Sequence, residues 1–387
     1  MSSDANRLYL DHNATTPQSP AVTAAVIEAM EHNWGNPSSI HWSGQQAKRA
    51  LDQARDAVAE LIGSTPDEVI FTSGGSESVN GAILSAVESS SDRRLVITSD
   101  VEHSAVRELM ERLVSRGCEW IQIQSESSGR VSADALRGIL NDRHEETALV
   151  SIMWANNETG VVQPIERLGE VCREYGVCFH TDGTQWVGKM PTSVADMPID
   201  MLSAAGHKFH GPKGTGILWT RPGLQIAPTV VGGGQEMGRR GGTENLPAIV
   251  GLGVAAQEAA LWLNSGGHES MLPLRDQFEE AVASRVAGIC VNGSEAPRMW
   301  STSSIGFPDV EAELLLLVLS EAGLDASAGS ACGSGALKGS AVLEAMGTQP
   351  CHVPERQYGS VRFSWCRSME WADLSRAVSI IGESVDS

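Results

Sequence analysis

Lysine is nearly missing from this chain: Lys48, Lys189, Lys208, Lys213 and Lys338 are the only five in 387 residues. Chemistry that needs an amine has few positions to draw on. Basic side chains as a whole are in deficit, with 28 Lys and Arg against 48 Asp and Glu, and a net charge of -20 repels phosphate backbones, so no direct nucleic-acid partner is expected. The seven cysteines (Cys118, Cys172, Cys178, Cys290, Cys332, Cys351 and Cys366) are odd in number and contain no CxxC pair. That argues against a disulfide framework and against a tetrahedral zinc site, and no metal is expected. The longest uninterrupted apolar stretch, Leu314 to Leu319, is far short of the roughly 20 residues of a membrane-spanning helix. The opening residues lack the basic start and apolar run of a secretory signal, so a soluble, cytoplasmic protein is expected. Repeats and low-complexity segments are also missing.

What is present is ordinary globular material, 41% hydrophobic and 20% charged, enough for a large core. Ala47, Ala50, Leu51, Ala54, Ala57, Val58, Leu61 and Ile62 follow the spacing of an amphipathic helix that stops at Gly63. Seven strand-like runs follow: 68–72, 95–98, 120–123, 149–154, 178–181, 201–203 and 216–219. Helical segments starting near Ser76, Ser104, Ser132 and Pro164 separate most of them. This alternation predicts an α/β fold whose large domain, residues 15–258, holds a mainly parallel seven-stranded sheet covered on both faces. After a helical stretch from Pro247 to Leu263 the character changes at Asn264-Ser-Gly-Gly267. Residues 1–14 and 259–387 are expected to form a smaller α+β domain with short strands around Val291, Ser304 and Val361.

Lys208 follows an apolar strand in the glycine-rich segment Ala205-Gly-His-Lys-Phe-His-Gly-Pro-Lys-Gly214. A desolvated lysine there can form a Schiff base, although a single lysine is more often a solvated surface charge. Asp182, in Phe179-His-Thr-Asp-Gly-Thr-Gln185, ends another strand. It is either a helix cap or the anion that keeps a pyridine nitrogen protonated. Phe71-Thr-Ser-Gly-Gly-Ser-Glu77 joins a strand to a helix, either as an ordinary turn or as a cradle whose N–H groups meet a phosphate. A phosphate cradle, a carboxylate for a ring nitrogen and a lysine for an aldehyde, all at strand carboxyl ends, describe a site for pyridoxal phosphate. Ser327-Ala-Gly-Ser-Ala-Cys-Gly-Ser-Gly335 is a run of tiny residues unsuited to a core element, which points to an exposed, reactive Cys332 in a loop spanning about 327–340. Arg362, mid-strand between apolar neighbours, needs a carboxylate, from the protein or from a ligand.

These segments occur in the order found in cysteine desulfurases of aminotransferase class V, which the sequence resembles along nearly its whole length. The matching motifs are Tyr9-Leu-Asp-His-Asn-Ala-Thr-Thr-Pro17, Gly35-Asn-Pro-Ser-Ser39, Phe71-Thr-Ser-Gly-Gly-Ser-Glu77, Glu102-His103, Asn156-Asn-Glu-Thr-Gly160, the segment holding Asp182 and Gln185, Gly206-His-Lys208, Arg240-Gly-Gly-Thr-Glu-Asn245 and Gly329-Ser-Ala-Cys332. The resemblance is nearest to the subgroup that supplies sulfur for iron-sulfur clusters and nitrogenase. It implies a type I fold of pyridoxal-phosphate-dependent transferases, a homodimer, and conversion of L-cysteine to L-alanine with the sulfur passing as a persulfide on Cys332 to an acceptor protein of unstated identity. Lys208 would hold the cofactor, Asp182 its ring nitrogen, and His103 would stack on the ring and move protons. Gln185 and Asn157 would lie near the ring hydroxyl, with Asn157 also facing substrate. Gly75, Ser76 and His207 would hold the phosphate together with Thr243 of the other subunit, and Arg362 would bind the substrate carboxylate. Three departures stand out. Ala205 replaces a serine that contributes to phosphate binding, Lys338-Gly-Ser340 replaces Glu-Pro-Ser, and the connector from Met346 to Arg362 is longer and holds Cys351. A selenocysteine lyase, a class V aminotransferase and an inactive scaffold are the alternatives.

Overall fold

The computed structural model describes residues 7–89, 92–329, 340–347 and 358–385. From β1 (Leu8–Tyr9) the chain runs through α1 (Pro20–His32), α2 (Trp42–Ile62), β2 (Val69–Thr72), α3 (Gly75–Glu88), β3 (Leu95–Ser99), α4 (Ser104–Val114), β4 (Glu119–Ile123), α5 (Ala133–Arg143), β5 (Thr147–Met153), α6 (Ile165–Glu174), β6 (Phe179–Asp182), β7 (Met201–Ala205) and β8 (Gly216–Thr220). It continues through α7 (Leu246–Asn264), α8 (Gly267–Arg285), β9 (Cys290–Val291), β10 (Thr302–Pro308), α9 (Ala312–Glu321), β11 (Leu324–Asp325), α10 (Ala341–Ala345), β12 (Tyr358–Ser364) and α11 (Trp371–Val385).

The seven strand-like runs of the sequence form one sheet, in the order β2-β8-β7-β6-β5-β3-β4. Only β8 runs antiparallel to its neighbours, pairing with both β2 and β7. The parallel strands have helices on both faces, and β3, β5, β6 and β7 are buried at every residue without alternation, among them the seven residues of β5, Thr-Ala-Leu-Val-Ser-Ile-Met. Helix α2 stops where the sequence says it should, at Gly63, whose φ of 68° is the left-handed conformation a side chain resists. Helix α7 is long and apolar enough to cross a membrane by composition, but more than half of its apolar window is buried, and it packs on α1 and α2.

A second core gathers Leu8 and Leu10 with Phe278, Trp300, Phe307, Phe363 and Trp365 over the antiparallel sheet β12-β10-β9. Each of these aromatic rings is at most 2% exposed, and truncating one to alanine would cost about 3–5 kcal/mol. Because β1 pairs with β11 and Leu8 and Leu10 are buried here, the segment 11–16 is held between the two cores, over the carboxyl ends of the parallel strands.

Candidate active site

Five connections leave the carboxyl ends of β2, β3, β5, β6 and β7, and each carries a polar group to one cavity of about 350 Å³. Beyond β2, Gly74 and Gly75 open α3. A side chain at Gly75 would come within 3.1 Å of Thr184 Oγ1 and 3.5 Å of the Ala205 Cβ, so only glycine keeps the first N–H groups of the helix accessible. Beyond β3, His103 caps α4 by accepting from Ala105 N–H at Nδ1, 3.1 Å away, which places the ring proton on Nε2. Burial lowers the His103 pKa against the opposing pull of Asp182, and Lys208 and Arg107 lower it further, so the ring is neutral.

Beyond β5, Asn156 Oδ1 accepts from the N–H groups of Glu158 and Thr159 and folds the chain so that Asn157 faces the cavity. Asp182, the last residue of β6, is 6% exposed and accepts from Thr184 N–H at 3.0 Å. Beyond β7, the turn Gly206–Lys208 presents the Lys208 amine, whose Nζ donates to the carbonyls of Asn13 at 2.6 Å and Ala14 at 2.9 Å. His207 Nδ1 contacts Thr15 Oγ1 at 3.1 Å, and burial pushes this imidazole down to about 4.

Arg362 meets a carboxylate of the protein itself and also faces the cavity. It is 3% exposed, pairs with Asp11 at 2.6 Å and donates to the Asn157 carbonyl at 2.9 Å, yet it also lines the cavity. Its buried Nε–H has no partner among the described residues. Ser327 and Arg362 exchange backbone hydrogen bonds, and Gly329 reaches the cavity wall.

Gly75, Ser76, His103, Asn157, Asp182, Gln185, His207, Lys208 and Arg362 therefore all line one cavity. Thr243 does not; it is exposed. Cys332 lies outside the described residues, as do Lys338 and Cys351. Several residues at the site carried no functional reading in the sequence. Thr184 lines the cavity with a buried hydroxyl that has no partner among the described residues, next to Gly75 and Ala205. Glu102, 1% exposed and pushed up to about 8 by burial, accepts from Ser99 Oγ and Met153 N–H at Oε1 and supports the turn that carries His103. Asn13 accepts from Lys208 and Gln185 at its carbonyl and from Lys189 at its side chain.

The cavity thus offers one amine, one carboxylate, the N-terminal N–H groups of a helix and one guanidinium to whatever enters it. The family description "Aminotransferase class-V" matches residues 8–376. A cysteine desulfurase of Gluconacetobacter diazotrophicus is 43% identical over 379 residues, covering 97% of this chain and 92% of that one. Among solved structures, a NifS-like protein superposes with a TM-score of 0.88 at 33% identity, covering 98% of this chain and 99% of the other. SspA in complex with cysteine superposes with a TM-score of 0.79 at 33% identity, covering 92% and 98%.

Proposed function

From the premise that this chain belongs to the aminotransferase class-V family and is a cysteine desulfurase, we propose that its cavity holds pyridoxal phosphate and L-cysteine and that Cys332 receives the sulfur. The residues fit that cofactor on two observations that do not depend on the family. The hydroxyl of Thr184 and the Nε–H of Arg362 are buried polar groups that find no partner among the described residues, and leaving such a group unpaired costs about 1–3 kcal/mol unless a ligand completes it.

Pyridoxal phosphate supplies an electron sink that loosens the Cα proton of an amino acid and weakens its bond to a β-substituent. The chain does the rest. Gly75, Ser76 and His207 would hold the phosphate at the start of α3, with the Thr184 hydroxyl available in place of the one that Ala205 lacks. Asp182 would balance the ring nitrogen, and Asn157 and Gln185 would serve the ring hydroxyl. The Lys208 amine, steered by the Asn13 and Ala14 carbonyls, takes the Cα proton and later returns it. Arg362 binds the substrate carboxylate, and neutral His103 offers a proton from Nε2. The Cys332 thiolate attacks the substrate sulfur; an S–S bond forms as the substrate's Cβ–S bond breaks, and protonation at Cβ completes alanine.

One observation carries the choice of Cys332. Gly329 lines the same cavity as Lys208 and Arg362, and Cys332 follows it by only three residues in the sequence, which supports this choice. The protein is proposed to act as a homodimer. Trp34, Ile40, Trp42 and Met237 are 65–95% exposed, and Met237 joins Pro37, Ser38 and Glu244 around a groove of about 560 Å³ close to Thr243. A second copy seated there would bring Thr243 toward the neighbouring phosphate. A sulfur-acceptor protein takes the persulfide onward.

Cys332→Ala tests the reading. The variant should bind cofactor and change its visible spectrum with cysteine, while alanine release falls by orders of magnitude. Near-normal alanine release would remove Cys332 from the mechanism, and a Lys208→Ala protein that stays yellow would remove Lys208.

A further inference from the structure

Lys189 is buried against the site, and among the described residues no carboxylate balances it. The side chain is 5% exposed, and its Nζ donates to two neutral oxygens, Gln185 Oε1 at 2.7 Å and Asn13 Oδ1 at 3.1 Å. The charged groups around it are Lys208 and Arg362, which disfavour its proton, and Cys366, which favours it; His12 also faces it and is held neutral by its own burial. Burial first and these cations second push Lys189 down to about 7. An ammonium placed here is costly to the fold.

The arrangement has a chemical consequence for the amides that meet it. Lys189 Nζ meets Asn13 and Gln185 as a donor, and both turn their amide oxygens toward it. Their NH2 groups then point elsewhere. Asn13 Nδ2 donates to the Asn157 carbonyl at 3.1 Å and Thr302 Oγ1 at 2.8 Å, which fixes the residue whose carbonyl holds Lys208. Gln185 Nε2 donates to the Asn13 carbonyl at 3.0 Å, and its second N–H remains for the cavity that Gln185 lines. Without Lys189 either end of the Gln185 amide could face the cavity.

We propose that Lys189 is a positioning residue that acts through Gln185: by taking the amide oxygen it forces an N–H, and not a C=O, toward the ring oxygen of the cofactor. This rests on the cofactor reading above. An N–H donor aimed at that oxygen stabilises it as an anion and lowers the proton affinity of the bound cofactor.

The experiment is a pH titration of the visible absorbance of the reconstituted holoenzyme, beside cofactor affinity from absorbance titration and the thermal midpoint. In Lys189→Met the spectral midpoint should rise by about one pH unit, a tenfold gain in proton affinity, and the cofactor should bind about tenfold more weakly. Gln185→Leu should give the same spectral shift, and the double variant should shift no further than Gln185→Leu alone. Gln185→Glu keeps an oxygen for Lys189 but removes the donor, so its midpoint should also rise; it decides the matter if Lys189→Met does not fold. Lys189→Met or Gln185→Glu with a wild-type midpoint overturns the proposal, as do fully additive shifts in the double variant. A wild-type protein that never turns yellow with pyridoxal phosphate overturns the cofactor reading instead, so the two failures are told apart.

Discussion

Ser340 Oγ donates to Glu158 Oε2 at 2.5 Å, and Gly329 packs so closely on the same carboxylate that a Cβ there would lie 2.9 Å from that oxygen. One side chain thus touches both flanks of the stretch that carries Cys332. Ser340 also caps α10, accepting from Leu343 N–H at 3.1 Å. In Ser340→Ala the cap and the Glu158 contact are both lost, at a local cost of about 1–2 kcal/mol. Amide exchange over 341–346 should accelerate about tenfold while the cofactor's absorbance stays as in the wild type. Unchanged exchange would show that Glu158 does not anchor this flank.

The Thr184 hydroxyl and the Ala205 methyl both lie within 3.5 Å of the position a Gly75 Cβ would take. Thr184→Val should therefore weaken cofactor binding by about tenfold, the worth of one hydrogen bond to a charged group, with little change in thermal midpoint. Ala205→Ser in that background should restore most of the loss by supplying the hydroxyl from the other side. A double variant as weak as Thr184→Val would place the missing contact elsewhere.

Acid should unfold the protein through its buried histidines. Burial pushes His12, His180 and His207 down to about 4 from an ordinary 6.5, so the unfolded chain takes up protons that the native state refuses. Their contribution is complete above pH 6.5 and is lost as pH falls toward 4. Glu102 has the opposite sign: held up at about 8 against an ordinary 4.5, it contributes fully below pH 4.5 and loses that contribution as pH rises through 8. Thermal midpoints between pH 7 and 4.5 should fall in the wild type and fall less steeply in His180→Gln, whose parent imidazole is held between Ser151 and Ser203 at 2.8 Å each. Equal slopes would exclude His180 as a source.

The sheet was readable because a parallel strand covered on both faces must be apolar without alternation, as β5 is. The direction of β8 was not, since Gly216–Thr220 has the same apolar character whichever way it runs. Helix α1 carries a start signal that the strand-based reading did not use, Ser19 at the N-cap accepting from Val22 N–H just ahead of Pro20. Lys208 and Asp182 could be placed at strand ends from their own short segments, His103 only through the family resemblance, and the structure brings all three to one cavity. Lys189 was not: its meaning comes from Asn13, 176 residues away, and periodicity carries no information about which distant segments meet. Arg362 was half legible, as a buried charge needing an anion whose identity, Asp11, only the fold supplies.

The bond between Asp11 and Arg362 spans 351 residues, and Asn13 N–H donates to its own anchor, Ser364 Oγ, across the same interval. A ribosome adding about 5–20 residues per second needs roughly 20 to 70 s to make that interval. Over the last part of that interval, from Lys208 to Arg362, the lysine exists without the clamp that Arg362 and Ser364 place on the 11–14 segment. Cofactor capture is thereby tied to near-completion of the polypeptide, and a nascent or prematurely terminated chain carries the lysine without the apparatus to use it.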